Sequence, residues 1–203
     1  MKDKNNLTII YYASTDDFAN ADLTANAERE AQIATSPDDV KLQRRLAWFA
    51  LQRAADFFAA TGITPPQIRI AHNGRPQTTG AYVSVAHCAV AVAVAVSQAP
   101  VGVDCEPTKR ILPQNIADRI ALPQERRALP SHPTNDALLR LWTAKEAAFK
   151  ALPTSAQPPV MWKVDTTTFC INSFEAVNAV ISVATPSQAD IISRRLTPDD
   201  IKG

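Results

Sequence analysis

The chain has 203 residues, a formal net charge of +1 and a hydrophobic fraction of 46%. That is room for one ordinary domain, or two small ones in contact, of soluble globular composition. So balanced a charge gives no global field to draw in nucleic acid or an anionic membrane, and the polar start from Met1 to Asn6 lacks the apolar run of a secretory signal.

In chain order, Leu7 to Ala13 has the composition of a first strand. A long helix is expected from Pro37 to Ala60: Ser36 suits the N-cap, Pro37 the first helical position, and Asp38 and Asp39 the positive helix start. Leu42, Leu46, Phe49, Ala50, Arg53 and Phe57 fall near one stripe, and Gly62 is the stop. Ile68 to Ala71 is a short strand before a turn at Asn73-Gly74.

Ala81 to Val85 and Ala89 to Val96 are strand candidates. In the second of these every Val faces one way and every Ala the other, so it suits a strand covered on both sides with a close approach on the Ala side. The apolar stretch from Val83 to Val96 is shorter than the ~20 residues of a bilayer span and is broken by Ser84, His87 and Cys88. A further strand covers Val101 to Glu106. Leu112 to Leu129 reads as helix with a second piece starting at Pro123, and Asp136 to Leu152 as a helix capped by Asn135 or Asp136 and stopped by Pro153. The tail suggests strands at Val160 to Val164, Phe169 to Phe174 and Ala176 to Ala184. This order is α+β, with a divide near Gln98 separating residues 1–98 from residues 99–203.

The three cysteines, Cys88, Cys105 and Cys170, are odd in number and lie far apart without zinc or redox spacing, as in a reduced, cytoplasmic protein. Two acidic segments carry more. Asp104 and Glu106 sit at i and i+2 on a strand and so share one face; Glu146 and Lys150 sit at i and i+4 on a helix and share another. Taken singly, Glu146 and Lys150 are a helix ion pair, while Asp104 and Glu106 are either solvated acids of an edge strand or, beside strongly apolar strands, two anions that need a cation. If the fold joins the two faces, three carboxylates and an ammonium surround one point, a site for a hard divalent cation and a phosphate-bearing substrate. His87 between two apolar strands, Arg75 in its Gly-Pro turn, and Arg44 and Arg45 on the long helix are candidate anion contacts. Dinucleotide, P-loop and nucleophile-elbow motifs are absent.

Four segments occur in a telling order: Gly74-Arg75-Pro76; Val83-Ser84-Val85-Ala86-His87-Cys88; Gly102-Val103-Asp104-Cys105-Glu106; and Trp142-Thr143-Ala144-Lys145-Glu146-Ala147-Ala148-Phe149-Lys150. Together they resemble the Sfp-type 4′-phosphopantetheinyl transferases, whose pattern is G-[KR]-P, an S-H segment, G-[IV]-D-x-E and W-x-x-K-E-x-x-x-K. The resemblance spans about Asp38 to Leu152. It implies a pseudo-twofold pair of similar subdomains with coenzyme A and Mg²⁺ (or Mn²⁺) in the cleft between them. It further implies transfer of 4′-phosphopantetheine to a serine of an acyl or peptidyl carrier protein, with release of adenosine 3′,5′-bisphosphate, by a protein that works as a monomer.

Position by position, the resemblance makes Asp104, Glu106 and Glu146 the metal-binding acids and Glu146 and Lys150 the catalytic pair. Lys150, Arg44 or Arg45, Arg75, Ser84 and His87 would contact coenzyme A, and Glu125 aligns with a further acid near the metal. The arginines Arg119, Arg126 and Arg127 are candidate docking points for an acidic carrier. Two departures stand out: Ala86 and Cys88 flank the histidine where the family often has serines, and Ala151-Leu152-Pro153-Thr154 replaces a glycine-containing loop. The alternatives are a Mg²⁺-dependent phosphohydrolase acting on coenzyme A or a nucleotide, and a non-catalytic coenzyme A-binding module.

Overall fold

The computed structural model describes residues 7–71 and 76–201. Its first layer is a four-stranded sheet ordered β4-β5-β1-β9, with β1 at Leu7–Ser14, β4 at Tyr82–His87, β5 at Ala91–Ser97 and β9 at Asp190–Arg195. β1 pairs antiparallel with β5 and parallel with β9. The second layer is a three-stranded antiparallel sheet ordered β6-β8-β7, with β6 at Gly102–Pro107, β7 at Cys170–Ala176 and β8 at Ala179–Thr185. A small hairpin joins β2, Gln67–Ile70, to β3, Pro76–Thr79.

Each large sheet carries one long helix. α2, Asp38–Ala60, buries Leu46, Ala50, Leu51, Ala54 and Phe58 against Ile9 and Tyr11 of β1 and the Val92, Val94 and Val96 face of β5. The opposite face of β5, Ala91, Ala93 and Ala95, packs on Val103 and Cys105 of β6 and Ile181 and Val183 of β8. β5 is therefore the shared wall of two cores, as its Ala/Val alternation implies: alanine on the inner face lets a second sheet approach closely. α5, Asn135–Ala151, covers the second sheet. Three shorter helices, α1 at Ala27–Ala34, α3 at Ile116–Ile120 and α4 at Pro123–Ala128, fill the flanks.

Several details differ from the sequence reading. Pro37, not Ser36, stands at the N-cap of α2, because the Ser36 hydroxyl is taken up accepting a 2.6 Å bond from Arg44. α5 is capped by Thr134, whose hydroxyl accepts the Ala137 N–H. Val160 to Val164 is no strand: Met161–Lys163 is a 3₁₀ turn whose neighbourhood is fixed by the Lys145 ammonium donating to the carbonyls of Trp162 and Val164. The run from Ala176 to Ala184 is divided by a tight turn with φ of 46° at Val177 and 59° at Asn178, the double left-handed geometry of a two-residue hairpin. α1, β3 and β9 add elements the sequence reading did not name, and β9 brings residues 190–195 back to the first sheet. Asn73, Gly74 and Arg75, which carry the expected turn and one expected phosphate contact, lie outside the described residues.

Candidate active site

The site starts from a glycine. α5 crosses β6 so closely at Gly102 that a Cβ there would sit 1.8 Å from the Ala147 carbonyl oxygen and 2.7 Å from the Ala151 nitrogen. With no side chain in the way, the helix lies on the strand, and the carboxylates of β6 come level with Glu146 and Lys150. Of the expected group, Lys150 Nζ donates to Asp104 Oδ1 at 2.8 Å and to the Val103 carbonyl at 3.2 Å and stands 3.9 Å from Glu146 Oε2, while Glu106 is paired with Arg110.

The electrostatics follow from burial. Asp104 is pushed up to about 7, first by its removal from water; Lys150 opposes the shift, and the charges of Glu146 and Glu106 add to it. Glu106 is also raised, by burial first and by Glu146 in part, although Arg110 holds it in an ion pair. The Arg110 guanidinium in turn lies 4.9 Å from the centre of the Trp142 ring, one turn before Glu146 on α5. Three carboxylates thus repel one another in a poorly solvated corner. Asp104 Oδ2 is buried there without any hydrogen-bond donor, which is costly unless a cation supplies the missing partner.

An all-oxygen set of this kind fits a hard divalent ion. Among the described residues no three acid, imidazole or thiol groups already form a ligating cluster; the Lys150 ammonium supplies the positive charge between Asp104 and Glu146.

An open cleft of about 690 Å³ runs past Glu146 and Lys150, with Ser84, Val83 and Gln77 from the first half on one wall and Phe149, Leu152 and Gln157 on the other. The Ser84 hydroxyl is not directed solely at a ligand: it is buried and accepts the Val103 N–H at 3.0 Å, tying β4 to β6. His87, at the end of β4, is held below its ordinary range by the protein packed around it and then by the positive charges of Lys150 and Arg44. Arg44 donates to the Ser36 hydroxyl at 2.6 Å. Arg45 points elsewhere, in a two-pronged ion pair with Glu30 at 2.8 Å.

Two further residues take unexpected places. Lys145, read from sequence as part of a mixed charged face, is fully buried 2.6 Å from Glu125. Glu125, aligned above with an acid near the metal, is instead spent on this pair and on the N–H and hydroxyl of Thr166 and the N–H of Leu122. Neither acts on Asp104 or Glu106, whose charged neighbours are Glu146, Lys150 and Arg110. Arg110 was missed; its one sequence signal is the i,i+4 spacing to Glu106 across Pro107.

Two packed sheets, each with its own helix, and a cleft that places Glu146 and Lys150 on its wall define an α+β protein. Residues 100–195, from the loop before β6 to the end of β9, match the model of the 4′-phosphopantetheinyl transferase superfamily. The match contains Asp104, Glu106, Glu146 and Lys150; Arg44, Ser84 and His87 lie outside it. No curated protein matches the chain. None of the described helices is long and apolar enough to cross a membrane.

Proposed function

We propose that the protein transfers the 4′-phosphopantetheine arm of coenzyme A to a serine of an acyl or peptidyl carrier protein and releases adenosine 3′,5′-bisphosphate. The observation that carries this reading is the donorless, buried Asp104 Oδ2 in the field of Glu106 and Glu146, inside the segment that matches the superfamily. Asp104, Glu106 and Glu146 would hold a Mg²⁺ ion, and the chemistry such an ion would supply is charge neutralisation at the pyrophosphate of coenzyme A.

The remaining work belongs to side chains. Lys150 is held in place by Asp104 and the Val103 carbonyl and presents its ammonium to the charge that develops on the leaving phosphate. Glu146 is half-exposed at the cleft and takes the proton of the attacking serine. His87 and Arg44 hold the 3′-phosphate, whose negative charge favours the imidazolium that burial first, and then Lys150 and Arg44, disfavour. Arg75 is assigned to the same group by its motif alone. Arg45, engaged by Glu30, is a weaker candidate. Little covalent chemistry is asked of the protein, as in other phosphoryl-type transfers where positioning and charge dominate.

The test is a single incubation with coenzyme A, Mg²⁺ and an apo carrier protein. A mass gain on the carrier equal to one phosphopantetheine arm is the expected outcome. Phosphate release without carrier modification points to a phosphohydrolase, and binding without turnover to a passive module. For the carrier, Arg119 and Arg127 are exposed on the α3–α4 flank, whereas Arg126 is engaged locally by Asp118 and the Pro130 carbonyl. Reversing the charges of Arg119 and Arg127 raises the KM for the carrier more than that for coenzyme A; equal effects on both remove this face from the docking surface.

A further inference from the structure

The sequence scatters its cysteines, but the fold brings two of them together beside the site. Cys88 follows β4 directly, one residue after His87, and Cys105 lies between Asp104 and Glu106 on β6. One backbone carbonyl, that of Ala91 at the start of β5, accepts both the Cys88 N–H at 2.9 Å and the Cys105 S–H at 3.9 Å. Both side chains pack into the cluster formed by β5, β6 and β8. All three thiols are free; Cys105 is buried and Cys88 half-exposed. The third, Cys170, is at the start of β7 and donates to Gln188.

We propose that Cys88 and Cys105 form a redox pair that closes to a disulfide at the edge of the cleft when a peroxide reaches Cys88. Access and chemistry divide the roles. The Cys88 sulfur, on the less covered of the two residues, attacks the peroxide oxygen, becomes a sulfenic acid and releases one water after proton transfer. The Cys105 thiol then attacks that sulfur, gives up its proton to the departing hydroxyl, and a second water leaves as the S–S bond forms. Two thiols are oxidised and one peroxide is reduced. The Cys105 S–H holds the Cys88 thiol below the usual thiol range, against the effect of burial, which favours the first step.

The bond ties the residue after His87 to the residue between Asp104 and Glu106, so it constrains the end of β4 and the acidic strand β6 at once. That consequence rests on the transferase reading; the disulfide itself does not.

The experiment exposes the full chain to hydrogen peroxide, quenches it, alkylates remaining thiols in denaturant and maps the peptides by mass. The expected result is loss of two hydrogens, a linked Cys88–Cys105 peptide, alkylation of Cys170 alone, and full reversal by dithiothreitol. Cys88→Ser and Cys105→Ser chains gain no such bond. Affinity for adenosine 3′,5′-bisphosphate, a probe without a thiol, falls roughly tenfold or more on oxidation and returns on reduction, since a shift of about 1 Å in a positioned site costs on the order of a hundredfold. Cys88 oxidised to the sulfinic or sulfonic acid with Cys105 still alkylated overturns the pair, as does a linkage through Cys170. A disulfide that leaves nucleotide affinity unchanged overturns its role as a switch. A reduced protein that never binds the nucleotide counts against the transferase reading while the mass result still decides the disulfide.

Discussion

Replacing Gly102 with alanine tests the geometry on which the site depends. The added Cβ would lie 1.8 Å from the Ala147 carbonyl oxygen, where real Cβ contacts essentially never fall below 3.0 Å, and it would also meet the Ala151 nitrogen. Both obstacles are helix backbone, so no side chain can swing aside, and α5 must retreat by more than an ångström. Overpacking a well-packed interior costs about 1–3 kcal/mol and occasionally more; a backbone-to-backbone clash belongs at the upper end. For a chain of this size ~3 kcal/mol lowers the Tm by about 6–12 °C.

The retreat also carries Glu146 and Lys150 away from Asp104, so transfer falls on the order of a hundredfold, beyond what the unfolded fraction explains. Thermal unfolding and carrier-modification rates, both measured well below the new Tm, provide the readout. Gly62→Ala is the control: nothing lies within 4 Å of its Cβ, but its φ is +75°, so it costs about 1–2 kcal/mol through the backbone and leaves the transfer rate alone. A Gly102→Ala protein with unchanged Tm and unchanged rate would refute the close crossing of α5 on β6.

Asp104→Ala and Glu146→Gln each abolish carrier modification while the folded circular dichroism spectrum is retained; full activity in either variant ends the assignment. Lys145→Met strands the Glu125 carboxylate in the interior and costs about 3 kcal/mol by urea unfolding, at the low end for breaking a buried pair because Thr166 and Leu122 still donate to it. The double change Lys145→Met with Glu125→Gln recovers part of that loss, and a strictly additive result would mean the two residues are not coupled. Glu30 is held below the ordinary carboxylate range by its hydrogen bonds from Arg45 and then from the Ala25 N–H. Its contribution to stability is present above its unfolded value of 4.5 and is lost as the pH falls through its lower folded value. Wild type is therefore more stable than Glu30→Gln at neutral pH by no more than about 1 kcal/mol for so accessible a pair, and the gap closes in acid; a pH-independent gap would assign the effect to packing.

Much of the site was legible in the sequence because it is written in local periods. The i,i+2 spacing of Asp104 and Glu106 and the i,i+4 spacing of Glu146 and Lys150 fix which side chains share a face before any fold is known. The Val and Ala faces of β5 announced a strand covered on both sides for the same reason. Spacing could not say where a charged group ends its reach. Lys145 and Lys150 belong to one helix, yet one is buried against Glu125 and the other faces the cleft, because α5 turns one toward the Met161–Lys163 turn and the other toward β6. Arg44 and Arg45 are adjacent in sequence, and only the position of α1 sends Arg45 to Glu30.

By itself, then, the sequence determined most of the elements and which of the acids share a face, both of which depend on neighbours a few residues away. Long-range contact decided the rest: the approach of α5 to β6 over Gly102, the return of β9 to the first sheet, the pairing of Glu125 with Lys145, and the meeting of Cys88 with Cys105. Those outcomes depend on which surfaces exclude water from one another, and no local spacing encodes that.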